Sequence, residues 1–90
     1  SNLVLKKGDT FTMLLHNKTK KPLYFALVNL LPDGRVQILL PTEGSFAEDF
    51  SLQPGERYEI TDNKVEEDLP EGTEYLKILV SHTPFDIRPA

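Results

Sequence analysis

The stretch from Tyr24 to Pro41, YFALVNLLPDGRVQILLP, is the most apolar part of this chain and is divided near its middle by Pro-Asp-Gly. Pro32 presets φ at the first position of a turn, and Gly34 can adopt the left-handed conformation that closes it. Two apolar runs joined by such a turn predict a β-hairpin. An apolar hairpin of this kind can be a buried element, an adhesive surface, or both.

The register of this hairpin follows from counting outward from the turn, where Leu31 lies opposite Arg35. Because side chains alternate between faces with a period of two, a slip of one residue would mix the two faces. The face predicted to form the core carries Tyr24, Ala26, Val28, Leu30, Val36, Ile38 and Leu40. The opposite, outer face pairs Asn29 with Gln37, Leu27 with Leu39 and Phe25 with Pro41.

The rest of the chain also alternates with a period of two, and it contains 7 prolines and 5 glycines between the apolar runs. Short alternating segments bounded by turn residues indicate strands. The predicted strands span 3–6, 10–16, 22–31, 35–40, 46–52, 56–61 and 74–81. The inward-facing residues are predicted to include Phe11, Met13, Leu15, Ile60, Leu76, Ile78 and Val80. The fold class is therefore all-β: an antiparallel β-sandwich of about seven short strands, immunoglobulin-like in its general architecture.

Length and composition favour one small domain of 90 residues with 39% hydrophobic residues. A net charge of −4 argues against nucleic acid as a partner, because phosphate binding needs a basic face. The chain has no cysteine, which excludes a thiolate nucleophile and a disulfide scaffold, and no apolar run has the length of a membrane span. Residues 1–2 are typical of a cleaved tag, so the domain is assigned to residues 3–90.

The outer face of the hairpin is the predicted interaction site. Phe25, Leu27 and Leu39 form an apolar patch near its Pro41 end. In one interpretation the segment 42–50 folds back over this patch, with Phe46 and Phe50 as anchors. In the other, the patch contacts a neighbouring domain or a second copy of the chain, as in a weak homodimer, because such anchors are typical of interface centres.

Catalytic and metal-binding patterns are weak. Ser81 and His82 are neighbours, so in a strand they point to opposite faces and cannot form a nucleophile–base pair. Exposed carboxylates could bind calcium weakly, although the spacing of an EF-hand loop is absent. The residues considered for calcium are Asp62, Glu66, Glu67 and Asp68. A calcium-binding or small-ligand module of a cell-surface protein is thus the alternative function; no cofactor and no catalytic residue are predicted.

Several segments, taken in order, resemble one family. They are LKKGDTFTMLLHN, LYFALVNLLPDGRVQILLP, FSLQPGERYEI and PEGTEYLKILVSHTPFDI. The run is similar to a bacterial domain of unknown function found C-terminal to caspase-like (clan CD) cysteine peptidase domains. The resemblance implies an accessory β-sandwich domain without catalytic residues of its own, whose partner is the neighbouring peptidase domain or another protein.

Overall fold

A computed structural model describes residues 2–6, 10–62 and 72–90, with the backbone alone considered for 2–6 and for residue 62. The described residues form strands joined by short turns, and their only helical element is a 3₁₀ turn at Ala47–Asp49. The strands are β1 (Asn2–Lys6), β2 (Phe11–His16), β3 (Leu23–Leu30), β4 (Val36–Leu40), β5 (Ser51–Leu52), β6 (Arg57–Asp62) and β7 (Thr73–Ser81). No helix in this part of the chain has the length and apolar character needed to cross a membrane.

Two antiparallel sheets pack face to face, which confirms the predicted β-sandwich. The larger sheet has the order β1-β7-β3-β4, with β5 also pairing with β3, and the smaller sheet consists of β2 and β6. Because β3 is central to the larger sheet, it pairs with three other strands. This position explains why the sequence of β3, LYFALVNL, is apolar almost throughout: such a strand is covered by neighbouring side chains on both faces.

The hairpin of β3 and β4 has the predicted turn and, near the turn, the predicted register. The Leu31 N–H donates to the Arg35 carbonyl at 2.9 Å, and Gly34 has φ of 90°, as the closing residue requires. Leu30 pairs with Val36 and Val28 pairs with Ile38.

Further from the turn the predicted register is wrong, because a β-bulge intervenes. Leu27 pairs with Leu40, so between consecutive pairs β3 advances by one residue while β4 advances by two. The extra residue is Leu39. The predicted pairs Ala26–Leu40 and Leu27–Leu39 therefore do not form.

The prediction of which hairpin face packs against the smaller sheet is also wrong, although Ala26, Val28 and Leu40 of the predicted core face are buried, at 2%, 7% and 8% exposure. The core between the sheets contains Phe25, Leu27, Leu40, Phe50, Leu52, Ile60 and Leu76. Phe25 and Leu27 had been assigned to the outer face, whereas Val36, assigned to the core, is 59% exposed. The packing of the smaller sheet determines which face forms the core. Its inward residues pack against the hairpin face that carries Phe25; they are Phe11, Met13, Leu15 and Tyr58. Among the other residues predicted to face inward, Ile78 packs against this core but Val80 is 53% exposed.

The predicted strand 46–52 is replaced by the 3₁₀ turn followed by the two residues of β5. Asp49 explains the turn, because its carboxylate accepts the Phe46 N–H at 3.3 Å while its own N–H donates to the Phe46 carbonyl at 3.1 Å. A short side-chain acceptor that bonds to nearby backbone offers the chain an alternative to strand pairing.

Candidate functional site

The predicted interaction patch lies mostly in the core. Phe25, Leu27 and Phe50 are 3%, 1% and 8% exposed, and Leu39 is half-buried against them. The Phe50 ring meets the Phe25 ring edge-on at 6.0 Å between centroids. Phe50 therefore covers Phe25 as the fold-back interpretation required, whereas Phe46 is 73% exposed and does not. The placement of Phe25 and Leu27 on an outer face is wrong, so these side chains cannot serve as a docking surface.

The opposite face of the larger sheet carries a different apolar patch. Leu30 lies between Val36 of β4 and Tyr75 of β7 and pairs with both. Val36 is 59% exposed, Tyr75 is 43% exposed and Leu30 is half-buried. We call these three side chains, which cross three adjacent strands, the outer row. The sequence prediction had assigned Leu30 and Val36 to the core and therefore missed them as a surface.

One charged side chain and one ion pair lie beside the outer row. The next row along the strands contains Ile38, Val28 and the exposed Lys77. On the other side, the hairpin turn holds an ion pair in which Arg35 Nε lies 2.6 Å from Asp33 Oδ2. The backbone hydrogen bond from Arg35 is the main reason that the pKa of Asp33 lies below its ordinary value of 3.8. An apolar centre with charged groups at its edge is typical of protein–protein contacts.

A buried polar pair lies on the inner face of the same sheet. Asn29 and Glu74 are 4% and 0% exposed, and Asn29 Nδ2 donates to Glu74 Oε1 at 2.6 Å. The same Nδ2 makes a long 3.5 Å contact with Gln37 Oε1. Asn29 Oδ1 and Glu74 Oε2 have no hydrogen-bond partner among the side chains and backbone groups that the structure describes. Buried acceptors without a donor are rare in folded proteins, so this pair is an energetically weak point of the interior.

A second buried asparagine, Asn17, has every side-chain atom paired. Its Nδ2 donates to the carbonyl oxygens of Lys21 and Leu52 at 2.8 and 2.9 Å. Its Oδ1 accepts from the N–H and the hydroxyl of Thr19 at 2.9 and 2.6 Å. Asn17 thereby fixes the turn that carries the exposed lysines 18, 20 and 21, which indicates a structural role for this residue.

Among the described residues, those with catalytic or metal-binding potential are not brought together. His82 Nδ1 lies 3.0 Å from the Pro22 carbonyl, while the Ser81 hydroxyl accepts the Thr83 N–H at 3.0 Å. Each of these groups thus has a backbone partner. Within residues 10–61 and 72–90, no three His, Cys, Asp or Glu side chains are grouped as a metal site would require. Of the predicted calcium ligands, Glu66, Glu67, Asp68 and the side chain of Asp62 lie outside the described residues.

Comparison with known proteins gives one match. The sequence model of a family described as a domain of unknown function (DUF4384) matches residues 4–84, and hence nearly the whole chain. No curated protein and no solved structure matches the chain significantly.

Proposed function

Because the chain belongs to the DUF4384 family of domains of unknown function, we propose that it is a non-catalytic accessory domain that binds a neighbouring domain of a larger protein. The proposed neighbour is the cysteine peptidase domain of a bacterial caspase-like protein, as the order of the sequence motifs suggests. The outer row is the proposed contact surface. This proposal replaces the patch around Phe25 and Leu27, which is buried.

The observation that carries this proposal is the contrast between two equally exposed apolar residues. Val36 and Leu14 are both 59% exposed. Leu14 is a single apolar side chain on the outer face of the smaller sheet, where it pairs with Glu59. Val36 instead continues through Leu30 to Tyr75. Single exposed apolar residues are ordinary on protein surfaces, whereas contiguous ones mark contact sites.

The experiment compares Val36→Lys with Leu14→Lys in a binding titration against the separately produced peptidase domain. Both variants place the same charge on a strand position of equal exposure, so their stabilities should change by similar, small amounts. Val36→Lys should weaken binding at least about tenfold, because it places a charge in the apolar centre of the contact. Leu14→Lys should bind like the wild type.

Two results would contradict the proposal. Equal binding by both variants would show that the outer row is not part of the contact. Sedimentation showing that the wild type forms dimers and that Val36→Lys is monomeric, together with no binding to the peptidase domain, would instead assign the row to a homodimer.

A further inference from the structure

A cavity of about 170 Å³, partly open to solvent, lies between the two sheets. It is bounded by the first residue of β2, by the end of β6, and by the parts of β3 and β4 that flank the bulge. Its lining residues are Phe11, Leu27, Leu39, Leu40, Ile60 and Thr61. Five of these six side chains are hydrocarbon, and the hydroxyl of the exposed Thr61 donates to Glu59 at 3.4 Å. The lining of the cavity is therefore mainly apolar.

The bulge in β4 builds this cavity. In a regular strand, consecutive residues such as Leu39 and Leu40 point to opposite faces of the sheet. Here the extra residue at Leu39 breaks the alternation, and both side chains line the same space. Bulges commonly redirect a side chain beside a functional site. The cavity is thus produced by a local departure from regular strand geometry.

We propose that this cavity binds a small neutral apolar group, with the size of one six-membered ring or a short alkyl segment. Volume supports this class of ligand. An apolar protein cavity of about 150 Å³ accepts benzene, whereas sites for drug-sized molecules have about 300–1,000 Å³. The cavity lies on the inner side of the larger sheet, so this inference is independent of docking through the outer row.

The test is a titration of the isotopically labelled chain with benzene, followed through its methyl and backbone NMR signals. Saturable shifts are expected for the methyl groups of Leu27, Leu39, Leu40 and Ile60, with none at Val36. Leu39→Phe should fill the space and weaken benzene binding at least about tenfold, since packed interiors leave no room for a second ring. Leu14→Phe is the matched control, because it adds the same ring at an exposed position, and it should bind benzene as the wild type does.

Absence of saturable shifts in the wild type would overturn the inference, and so would unchanged binding by Leu39→Phe. If Leu39→Phe does not keep the wild-type backbone spectrum, Leu39→Asn answers the same question. Asn is close to Leu in size but brings polar atoms, so it should also lower benzene affinity, whereas Leu14→Asn should not. Retained affinity in Leu39→Asn would contradict the assignment of the cavity.

Discussion

Asn17 and Asn29 are both asparagines in the interior of one small domain, and yet they are bonded in opposite ways. Asn17 makes four side-chain hydrogen bonds, three of them with backbone groups and one with the Thr19 hydroxyl. Asn29 bonds to two other side chains, and its Oδ1 has no partner in the described part of the chain. Asn17 forms hydrogen bonds with backbone groups, which are present in any sequence. Asn29 forms its short hydrogen bond with the carboxyl group of Glu74, which a substitution could remove.

This comparison shows where the burial of a polar group is structurally required. Backbone carbonyls such as that of Leu52 are present whatever the side chains are, so removing their donor leaves a buried acceptor that no second substitution can remove. Glu74 is a side chain, and replacing it together with Asn29 removes both polar groups at once. Loss of one partner of a buried pair is costly, whereas replacement of both by apolar groups is often nearly neutral.

The largest effect is expected for Asn17→Ala. This change removes four hydrogen bonds, among them the side-chain donors to the Lys21 and Leu52 carbonyls, so we expect a loss of about 2–4 kcal/mol in the free energy of unfolding. Urea denaturation measures it. Thr19→Val is the control, because it removes only hydroxyl contacts at an exposed position and should cost less than about 1 kcal/mol. An Asn17→Ala variant as stable as Thr19→Val would break the contrast between the two asparagines.

Asn29→Leu should have the next largest effect. Glu74 Oε1 would lose the donor 2.6 Å away, and we expect a loss of about 1–3 kcal/mol. The double variant Asn29→Leu with Glu74→Met should recover most of this loss and lie within about 1 kcal/mol of the wild type. Denaturation of the wild type, the two single variants and the double variant gives the coupling free energy. Additive losses would show that the two side chains do not act as a pair.

Glu74→Gln should change stability in the opposite direction. The Gln carbonyl can keep the bond from Asn29 Nδ2, and its amide nitrogen can donate to Asn29 Oδ1, which has no partner in the wild type. We expect a gain of about 0.5–1.5 kcal/mol, the ordinary range for one added hydrogen bond. Glu59→Gln on the exposed face of the smaller sheet is the control, with a change within about 0.5 kcal/mol. A loss on Glu74→Gln would mean that the carboxyl group itself is needed.

Much of the fold could be predicted from the sequence. Period-two alternation and turn residues place most strand ends within one or two residues of those observed, and Pro32-Asp33-Gly34 sets the pairing beside the turn. Alternation could not decide which hairpin face is the core, because both faces of β3 are apolar. That choice depends on where β2 and β6 pack, which is a tertiary property. The bulge at Leu39 has no glycine or proline to signal it.

The candidate sites are harder to predict from the sequence than the fold, for the same reason. Because the predicted core face includes Leu30 and Val36, two of the three outer-row residues are not predicted as surface, and the sequence predicts no location for the cavity. A signal for the buried pair did exist. Alternation places Glu74 on the same side of β7 as Leu76 and Ile78, so a carboxyl group on the inner face was foreseeable. The sequence does not show that Asn29 lies within hydrogen-bonding distance of Glu74.

The smallest change in stability is expected on removal of the ion pair between Asp86 and Arg88 near the C-terminus. It provides a reference for the larger changes expected at the buried polar residues. Arg88 donates from Nε and Nη2 to the two Asp86 oxygens at 2.9 and 2.8 Å, and from Nη1 to the Ser45 carbonyl at 2.8 Å. The side-chain hydrogen bonds from Arg88 are the main cause that lowers the pKa of Asp86 from 3.8 to about 2.

A carboxyl group whose pKa is lower in the folded state stabilises the fold above its unfolded pKa, and this contribution is lost as the pH falls through its folded pKa. The stability difference between the wild type and Asp86→Asn should therefore be small and constant above about pH 4 and should vanish as the pH falls from 3.8 towards 2. Thermal melts across this range measure it. In an Arg88→Met background this pH-dependent difference should be smaller but not absent, because the backbone N–H of residue 88 still donates to Asp86 Oδ1 at 3.0 Å while the guanidinium bonds are lost. A difference that persists undiminished at pH 2, or that keeps its full size in the Arg88→Met background, would assign the effect to something other than this pair.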